Sequence, residues 1–240
     1  MNSFIGKAQR KADSDIYLKE NRYSTPKEYF KFFVEILKRE NPNFKSLTDV
    51  GCATGELMYY LNQSFNHKIK FSGIDFNNDL LNKLKEKIPH CTTKLLNIDK
   101  DDFSVLSKSD IVTCFGVFTC IFNIEYAIKN LIKILSDNGT IYIFNNFNED
   151  PVDVQVIYNR IHYKSGWETG KNSYSMESIE NVFKLLNFGV KWYHFKMPFS
   201  IPKTDDPMRS WTEEFRGNKY HLFVGSGQII NLKLLKAYRL

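Results

Sequence analysis

The chain has 240 residues, of which 42% are hydrophobic, 15% aromatic and 25% charged. This composition supplies enough apolar surface for a sizeable core and excludes an intrinsically disordered chain. The 33 basic and 27 acidic residues leave a formal net charge of +6, which permits an anionic partner without requiring one. At about 100–200 residues per domain, the length fits one large domain or two small ones.

Targeting and redox features point to an intracellular chain. The N-terminal residues lack the apolar run of a secretory signal, and no apolar stretch reaches the roughly 20 residues that span a membrane. The cysteines lack metal-binding spacing, so we expect reduced thiols, no metal site and a cytoplasmic protein. They are Cys52, Cys91, Cys114 and Cys120.

The first part of the chain alternates helix and strand patterns. Helical spacing of apolar residues predicts a helix over 25–40, with Thr25 as N-cap and Glu28 completing a capping box. Strands are predicted over 46–50, 69–74, 92–96, 110–115 and 140–144. Helices are predicted over 56–64, 80–88 and 126–135, with a turn at 137–139.

This alternation predicts a doubly wound, mostly parallel sheet with helices on both faces. Ligands of such sheets bind beyond the carboxyl ends of the strands. Four residues at predicted strand ends are therefore candidate site residues: Gly51, Asp75, Asp99 and Phe115.

The last third follows a different pattern. Residues 152–163 are predicted to form an amphipathic helix, and residues 178–186 another. Strand-like runs follow at 190–195, 220–224 and 229–238, with a turn at 225–227 and an irregular connection at 198–211. The last two runs predict a hairpin that adds antiparallel strands at the edge of the sheet.

One turn carries two glycines. The segment Asp49-Val50-Gly51-Cys52-Ala53-Thr54-Gly55 closes a predicted strand and opens a helix. Glycine lets the backbone turn tightly and approach a ligand, and free amides at a helix start favour an anionic group. The segment is neither GxGxxG nor a phosphate-binding P-loop. Taken alone, it fits an ordinary strand–helix turn equally well.

Acidic residues follow the next two strands. Asp75 ends the second predicted strand, where a carboxylate can accept two hydrogen bonds from a ribose diol. Asp99 follows the third, where it can accept from an adenine amino group. The alternatives are a helix cap for Asp75 and an ordinary loop acid for Asp99.

Taken together, the segments LTDVGCATG, FSGID, LLNID and DIVTCFGVF resemble the ordered motifs of class I S-adenosylmethionine-dependent methyltransferases. The resemblance covers residues 25–150 strongly and the tail weakly, and Ala53 replaces the middle glycine of the family's D-x-G-x-G-x-G motif. It implies a Rossmann-like doubly wound sheet of about seven strands, mostly parallel with a reversed last strand. It also implies S-adenosyl-L-methionine as cofactor and S-adenosyl-L-homocysteine as product.

The resemblance assigns roles to matching positions. Asp49 would lie near the methionine amino group, Asp75 would hold the ribose hydroxyls, and Asp99 would face the adenine amine. Either Tyr17 or Arg22 would bind the cofactor carboxylate from an N-terminal lid, unless that arm only packs on the surface. The predicted cofactor-binding residues are Tyr17, Arg22, Asp49, Gly51, Cys52, Ala53, Gly55, Asp75, Phe76, Asn97, Ile98, Asp99, Phe115 and Gly116.

The same resemblance gives a single domain, 1–240. It comprises a lid (1–24), a cofactor-binding core (25–150), an acceptor-side insertion (151–187) and a C-terminal sheet edge (188–240). No acid or histidine follows the predicted strand 110–115, so a general base is not evident there. His162 and His194 are the candidates, with a solvated or structural role as the alternative for each.

We expect methyl transfer to an oxygen of a small-molecule acceptor: a sugar, a nucleotide sugar or a phosphorylated precursor of cell-surface polysaccharide. Nucleic acid is not the expected partner, because the basic residues are dispersed and the Asn/Asp-Pro-Pro-Tyr/Phe signature is missing. The alternatives are an RNA or protein methyltransferase and a non-catalytic cofactor-binding relative. The form of the glycine motif disfavours an NAD-dependent oxidoreductase.

Overall fold

The computed structural model describes residues 11–20, 22–66, 68–163 and 166–240. Its helices are α1 (Lys11–Lys19), α2 (Glu28–Glu40), α3 (Glu56–Ser64), α4 (Asn78–Lys87), α5 (Ile124–Lys133) and α6 (Met176–Leu185). The strands of the first half are β1 (Ser46–Val50), β2 (Lys70–Asp75), β3 (Thr92–Leu95), β4 (Ser109–Phe115) and β5 (Leu135–Asn148). Those of the second half are β6 (Ile157–Asn159), β7 (Trp167–Thr169), β8 (Tyr174–Ser175), β9 (Phe188–His194), β10 (Trp211–Phe215), β11 (Asn218–Val224), β12 (Gln228–Ile230) and β13 (Leu232–Arg239).

A central sheet has the strand order β3-β2-β1-β4-β5-β13-β9, with β8 pairing the far end of β5. Strands β1 to β5 pair in parallel, and β13, the last strand, runs antiparallel to both β5 and β9. This topology confirms the predicted doubly wound, mostly parallel sheet with a reversed last strand. It also brings the carboxyl ends of β1, β2 and β4 to one edge of the sheet.

Two apolar layers cover the faces of the sheet. Helices α2, α3 and α4 pack against one face, which Tyr142 and Phe144 of β5 share. Helices α5 and α6 pack against the other, together with Ile141 and Ile143 of the same strand. Because β5 is buried on both faces over residues 141–144, that part of its sequence is a continuous apolar run rather than an alternating one.

The start of α2 differs from the prediction. The helix begins at Glu28 with Lys27 at the N-cap position and no side-chain cap, so the capping box built on Thr25 is wrong. The charged side chains at this helix start have other partners. Lys27 reaches Glu56 of α3, and Glu28 pairs forward with Lys31 at 2.6 Å.

The predicted turn at 137–139 is also wrong, because these residues lie within β5. Ser109 pairs with Leu135 whereas Ile111 pairs with Thr140, so the β4–β5 register shifts between the two pairs. The extra residues of β5 are accommodated as an irregularity inside the strand. The strand then continues past Phe144 to Asn148.

The predicted helix over 152–163 is wrong. Its residues form β6, which pairs antiparallel with β7, and a short 3₁₀ turn at Ile161–Tyr163. Long-range polar contacts stabilise this extended path. Arg160 and Glu168 make a buried, two-pronged salt bridge, and the Val156 N–H donates to Asn172 Oδ1 at 2.9 Å.

The C-terminal hairpin lies elsewhere than predicted. Strands β11 and β12 form it, but they belong to a separate small sheet with the order β10-β11-β12. The antiparallel addition to the central sheet comes instead from β13 and β9. Among the described residues, no helix is long and apolar enough to cross a bilayer.

Candidate functional site

A cleft of about 630 Å³ lies at the carboxyl ends of β1, β2 and β4. The other walls come from α1, the segment leading into α2, the end of β5 and the small sheet. The predicted site residues that line it are Tyr17, Arg22, Asp49, Gly51, Cys52, Ala53, Asp75, Phe76, Asn97, Ile98, Phe115 and Gly116. Of the predicted lid, residues 1–10 and Asn21 lie outside the described residues.

Four predicted residues do not line the cleft. Gly55 is the left-handed N-cap of α3 (φ +84°), and a Cβ built there would lie 2.8 Å from Leu84 Cγ. The Asp99 carboxylate is turned toward the backbone N–H of Phe122. Exposed His162 lies on the 3₁₀ turn, and His194 lies at the end of β9 with its Nδ1 3.0 Å from Lys233 Nζ.

The turn after β1 is built by tight backbone packing. Gly51 has a φ of +74° and donates its N–H to the Ile74 carbonyl at 2.7 Å. A Cβ built on Gly51 would lie 2.2 Å from Cγ2 of Val117, so only glycine fits without a rearrangement. Ala53, which replaces the family's middle glycine, also takes a left-handed conformation, with a φ of +47°. The alanine therefore keeps the backbone path of a glycine at some cost in strain.

Asp75 is fixed by this turn. Its Oδ2 accepts from the Ala53 N–H at 3.0 Å, and its Oδ1 accepts from the Asn77 N–H at 2.9 Å. Burial raises the pKa of the Asp75 carboxyl, and the backbone hydrogen bonds partly offset that rise. A carboxylate has about four lone-pair positions, so Asp75 keeps acceptor capacity for a hydroxyl donor in the cleft.

Asp49 is buried beside it at the end of β1. Burial raises the pKa of Asp49 to about 7, and the negative charge of Asp75 adds to the rise. A 2.6 Å hydrogen bond from Thr113 Oγ1 opposes the rise without cancelling it. The carboxyl group therefore changes its charge close to neutral pH.

An aromatic wall stands at the ends of β4 and β5. Tyr29 of α2 stacks on Phe144 with ring centroids 4.6 Å apart, and Phe115 lies 5.7 Å from Phe144. Of these three residues, only Phe115 was predicted from the sequence as a site residue. Tyr29 and Phe144 were not found because their spacing is that of ordinary core residues of a helix and a strand.

Charged side chains form the N-terminal wall. Lys27 Nζ lies 3.3 Å from Oε2 of Glu56, and Glu20 accepts from both Arg22 and Arg209, at 3.2 and 2.7 Å. Burial raises the pKa of Glu56, and Lys27 works against that rise. In the sequence, Glu56 stands out only as an acidic residue at a helix start. The helix dipole favours an acid at that position, so this pattern does not by itself indicate a ligand-binding residue.

The polar groups of the cleft are complementary to those of S-adenosylmethionine. Asp75 retains lone pairs for a ribose diol, and Gly116 has no atom within 4 Å of a Cβ built on it. Two buried acceptors, Glu56 Oε1 and Asn145 Oδ1, have no hydrogen-bond partner among the described residues, although both side chains belong to cleft-lining residues. Buried polar atoms of this kind are satisfied when a ligand donates to them.

Two sequence comparisons relate this chain to known proteins. A family model described as a methyltransferase domain matches residues 48–141. The carboxy-S-adenosyl-L-methionine synthase of Helicobacter pylori (strain G27) is 26% identical over 168 residues, which cover 67% of this chain and 69% of that protein.

Solved structures show the same fold at low identity. Streptomyces venezuelae DesVI is 14% identical with a TM-score of 0.56, and the match covers 97% of this chain and 100% of that one. SAM-bound CalS10, an amino pentose methyltransferase from Micromonospora echinaspora involved in calicheamicin biosynthesis, is 12% identical with a TM-score of 0.54. That match covers 95% of this chain and 96% of CalS10.

Proposed function

Since the chain belongs to the class I S-adenosylmethionine-dependent methyltransferases, we propose that it methylates an oxygen of a small sugar-type acceptor. The acceptor class is a sugar, a nucleotide sugar or a phosphorylated precursor of cell-surface polysaccharide. S-adenosylmethionine is the cofactor, and when bound it supplies a methyl group already activated by the positive sulfur. The observation that carries the proposal is the cleft at the strand ends, whose volume of about 630 Å³ is typical of small-molecule sites.

The residues that the last third of the chain contributes to the cleft support the proposed acceptor class. Apolar side chains of the small sheet and its neighbours stand beside hydroxyl groups from the segment before β10. The apolar residues are Ile201, Leu222, Ile230 and Leu232, and the hydroxyl residues are Thr204 and Ser210. Two cations, Lys171 and Arg209, line the same cleft and would suit a phosphate group on the acceptor.

The chain's contribution to catalysis is mainly positioning. A methyl on a sulfonium needs an acceptor held in line with it, and correct placement accounts for much of the rate of such a displacement. Phe115 and Gly116 would border this point, with Tyr29 and Phe144 as its apolar wall. We expect His162→Gln and His194→Gln to keep the rate of transfer within about twofold, because neither histidine lines the cleft.

A second candidate function comes from the Helicobacter relative, whose name describes synthesis of carboxy-S-adenosyl-L-methionine. The cations that line the cleft favour it, because a carboxylated cofactor carries one more negative charge. These cations are Arg22, Lys27, Lys171 and Arg209. Mass spectrometry of nucleosides bound to the purified protein separates the two candidates, since only the synthase yields the carboxylated form.

The test is transfer of a labelled methyl group from S-adenosylmethionine to a panel of sugar phosphates, nucleotide sugars, total RNA and mixed protein. The proposal expects label in a sugar-type acceptor, with an at least tenfold loss of catalytic efficiency in Arg209→Met when the acceptor is phosphorylated. Label found only in RNA or protein would overturn the acceptor class. We also place the activity in the cytoplasm, which the four free cysteines support.

A further inference from the structure

An ion pair between a partly buried lysine and a buried glutamate stands at the N-terminal wall of the cleft. Lys27 precedes α2, and Glu56 is the first residue of α3, directly after the glycine turn. Lys27 Nζ lies 3.3 Å from Glu56 Oε2, with the lysine side chain 18% exposed and the glutamate 4% exposed. Both residues line the cleft. The pair therefore places one positive and one negative group at the ligand surface, with the negative group buried.

The pair leaves hydrogen-bonding capacity unused. Glu56 Oε1 is buried and has no hydrogen-bond partner among the described residues. A lysine ammonium has three donors, and besides Glu56 the Lys27 ammonium lies near aromatic rings, 4.9 Å from that of Tyr17 and 5.6 Å from that of Phe30. An unsatisfied buried carboxylate oxygen is costly, so the site is complementary to a ligand that donates to it.

We propose that Lys27 and Glu56 recognise the amino-acid end of S-adenosylmethionine, with Glu56 Oε1 accepting from the α-ammonium and Lys27 Nζ donating to the α-carboxylate. An α-amino acid group carries both charges and is neutral overall, as is the ion pair. This inference rests on the proposed function only in that the cleft holds this cofactor.

The assignment replaces Arg22 as the principal carboxylate ligand. The Arg22 guanidinium is already paired with Glu20, Nε to Oε2 at 3.2 Å, and Arg209 contacts the other oxygen of the same carboxylate. Both carboxylate oxygens of Glu20 thus have partners, whereas the buried Oε1 of Glu56 has none in the part of the chain that the structure describes.

The test is isothermal titration of the full chain with three nucleosides. S-adenosylhomocysteine carries the amino-acid group, a second analogue lacks only its α-amino group, and 5′-methylthioadenosine lacks the whole group. We expect the deaminated analogue to bind wild type at least tenfold more weakly than S-adenosylhomocysteine. Glu56→Gln should weaken S-adenosylhomocysteine about tenfold to a hundredfold and change 5′-methylthioadenosine less than twofold.

Glu28→Gln is the matched control, because Glu28 pairs with Lys31 and does not line the cleft; it should bind all three nucleosides as wild type does. If Glu56→Gln does not fold, Lys27→Met/Glu56→Gln replaces it, since the double variant leaves no unpaired buried charge. The inference is overturned if the variants keep the wild-type ratio of S-adenosylhomocysteine to 5′-methylthioadenosine affinity. Failure of both nucleosides to bind wild type would instead refute the cofactor site, and this inference with it.

Discussion

The backbone N–H of Ala53 donates a 3.0 Å hydrogen bond to Oδ2 of Asp75. This bond joins the turn after β1 to the end of β2, two parallel neighbours in the sheet. The carboxylate is thereby oriented before any ligand arrives, because its other oxygen accepts from the Asn77 N–H. A preorganised carboxylate at a strand end is suited to bind a ribose diol with little loss of side-chain entropy.

Gly51→Ala tests the packing of the glycine turn. The substitution combines a left-handed backbone with a Cβ placed 2.2 Å from Val117 Cγ2, so we expect the free energy of unfolding to fall by about 3 kcal/mol. Urea denaturation without cofactor measures this change. Gly217→Ala is the control, because Gly217 has a φ of +76° but no atom within 4 Å of the added Cβ, and it should cost only about 1 kcal/mol.

A second variant, Val117→Ala, isolates the steric contribution to the stability lost in Gly51→Ala. Val117→Ala removes the methyl group that the Gly51 Cβ would meet, so Gly51→Ala should cost less in a Val117→Ala background than in wild type. Equal costs for Gly51→Ala and Gly217→Ala would show that the turn tolerates a side chain.

Asp49 makes stability depend on pH. Burial raises the pKa of Asp49 from 3.8 to about 7 in the folded protein, so the folded state holds a proton that the unfolded state has released. The contribution of Asp49 to the free energy of unfolding is therefore greatest below pH 4. It falls by up to about 1.4 kcal/mol per pH unit between pH 4 and pH 7. Above pH 7 this contribution is constant.

Asp49→Asn removes that titration while keeping an oxygen for the Thr113 hydroxyl. We expect the variant to gain stability relative to wild type as pH rises from 4 to 7, with no further gain above pH 7. Denaturant unfolding at several pH values measures the difference. Parallel wild-type and variant curves over this range would refute the assignment.

The Arg160–Glu168 pair tests the corrected structure of residues 152–163. Both side chains are buried and share two hydrogen bonds of 3.0 and 3.1 Å. Arg160→Met leaves Glu168 without its partner, and we expect a loss of about 3–5 kcal/mol in the free energy of unfolding.

Glu168→Gln should cost less than Arg160→Met, because Asp206 lies 3.6 Å from Arg160 Nη1 and still balances the arginine charge. Arg160→Met/Glu168→Leu should recover much of the lost stability, since it removes both charges. If the double variant were as unstable as Arg160→Met, the pair would not be the source of the effect.

The fold of the core could be predicted from local sequence. Strands such as β4 and β5 are buried on both faces, so each contains an apolar run that is easily recognised. The order of strand ends then located Gly51, Asp75 and Phe115 at one edge of the sheet, and all three line the cleft. The helical spacing over 152–163 was misleading, because Glu168 of β7 accepts from Arg160 and Asn172 Oδ1 accepts from the Val156 N–H, and these bonds hold the segment extended.

The rest of the site depends on contacts between distant segments. Lys27 and Glu56 occupy ordinary positions beside two helix starts, and only the packing of α2 against α3 makes them an ion pair. The small sheet brings Leu222 and Ile230 to the cleft, and neither has a local signature of a binding residue. Hydrophobic periodicity indicates which residues are buried, but it does not indicate which of the buried residues contact a ligand.

We expect the cleft to hold S-adenosylmethionine through Asp75, and calorimetric titration with S-adenosylhomocysteine measures this binding. Asp75→Asn keeps the size of the side chain but replaces one acceptor oxygen by a donor, and Asp79→Asn is the control at an exposed acid of α4. We predict binding of one S-adenosylhomocysteine per chain to wild type and to Asp79→Asn, with affinity at least tenfold lower in Asp75→Asn. No binding to wild type, or equal affinity in Asp75→Asn and wild type, would refute the binding of this cofactor by Asp75.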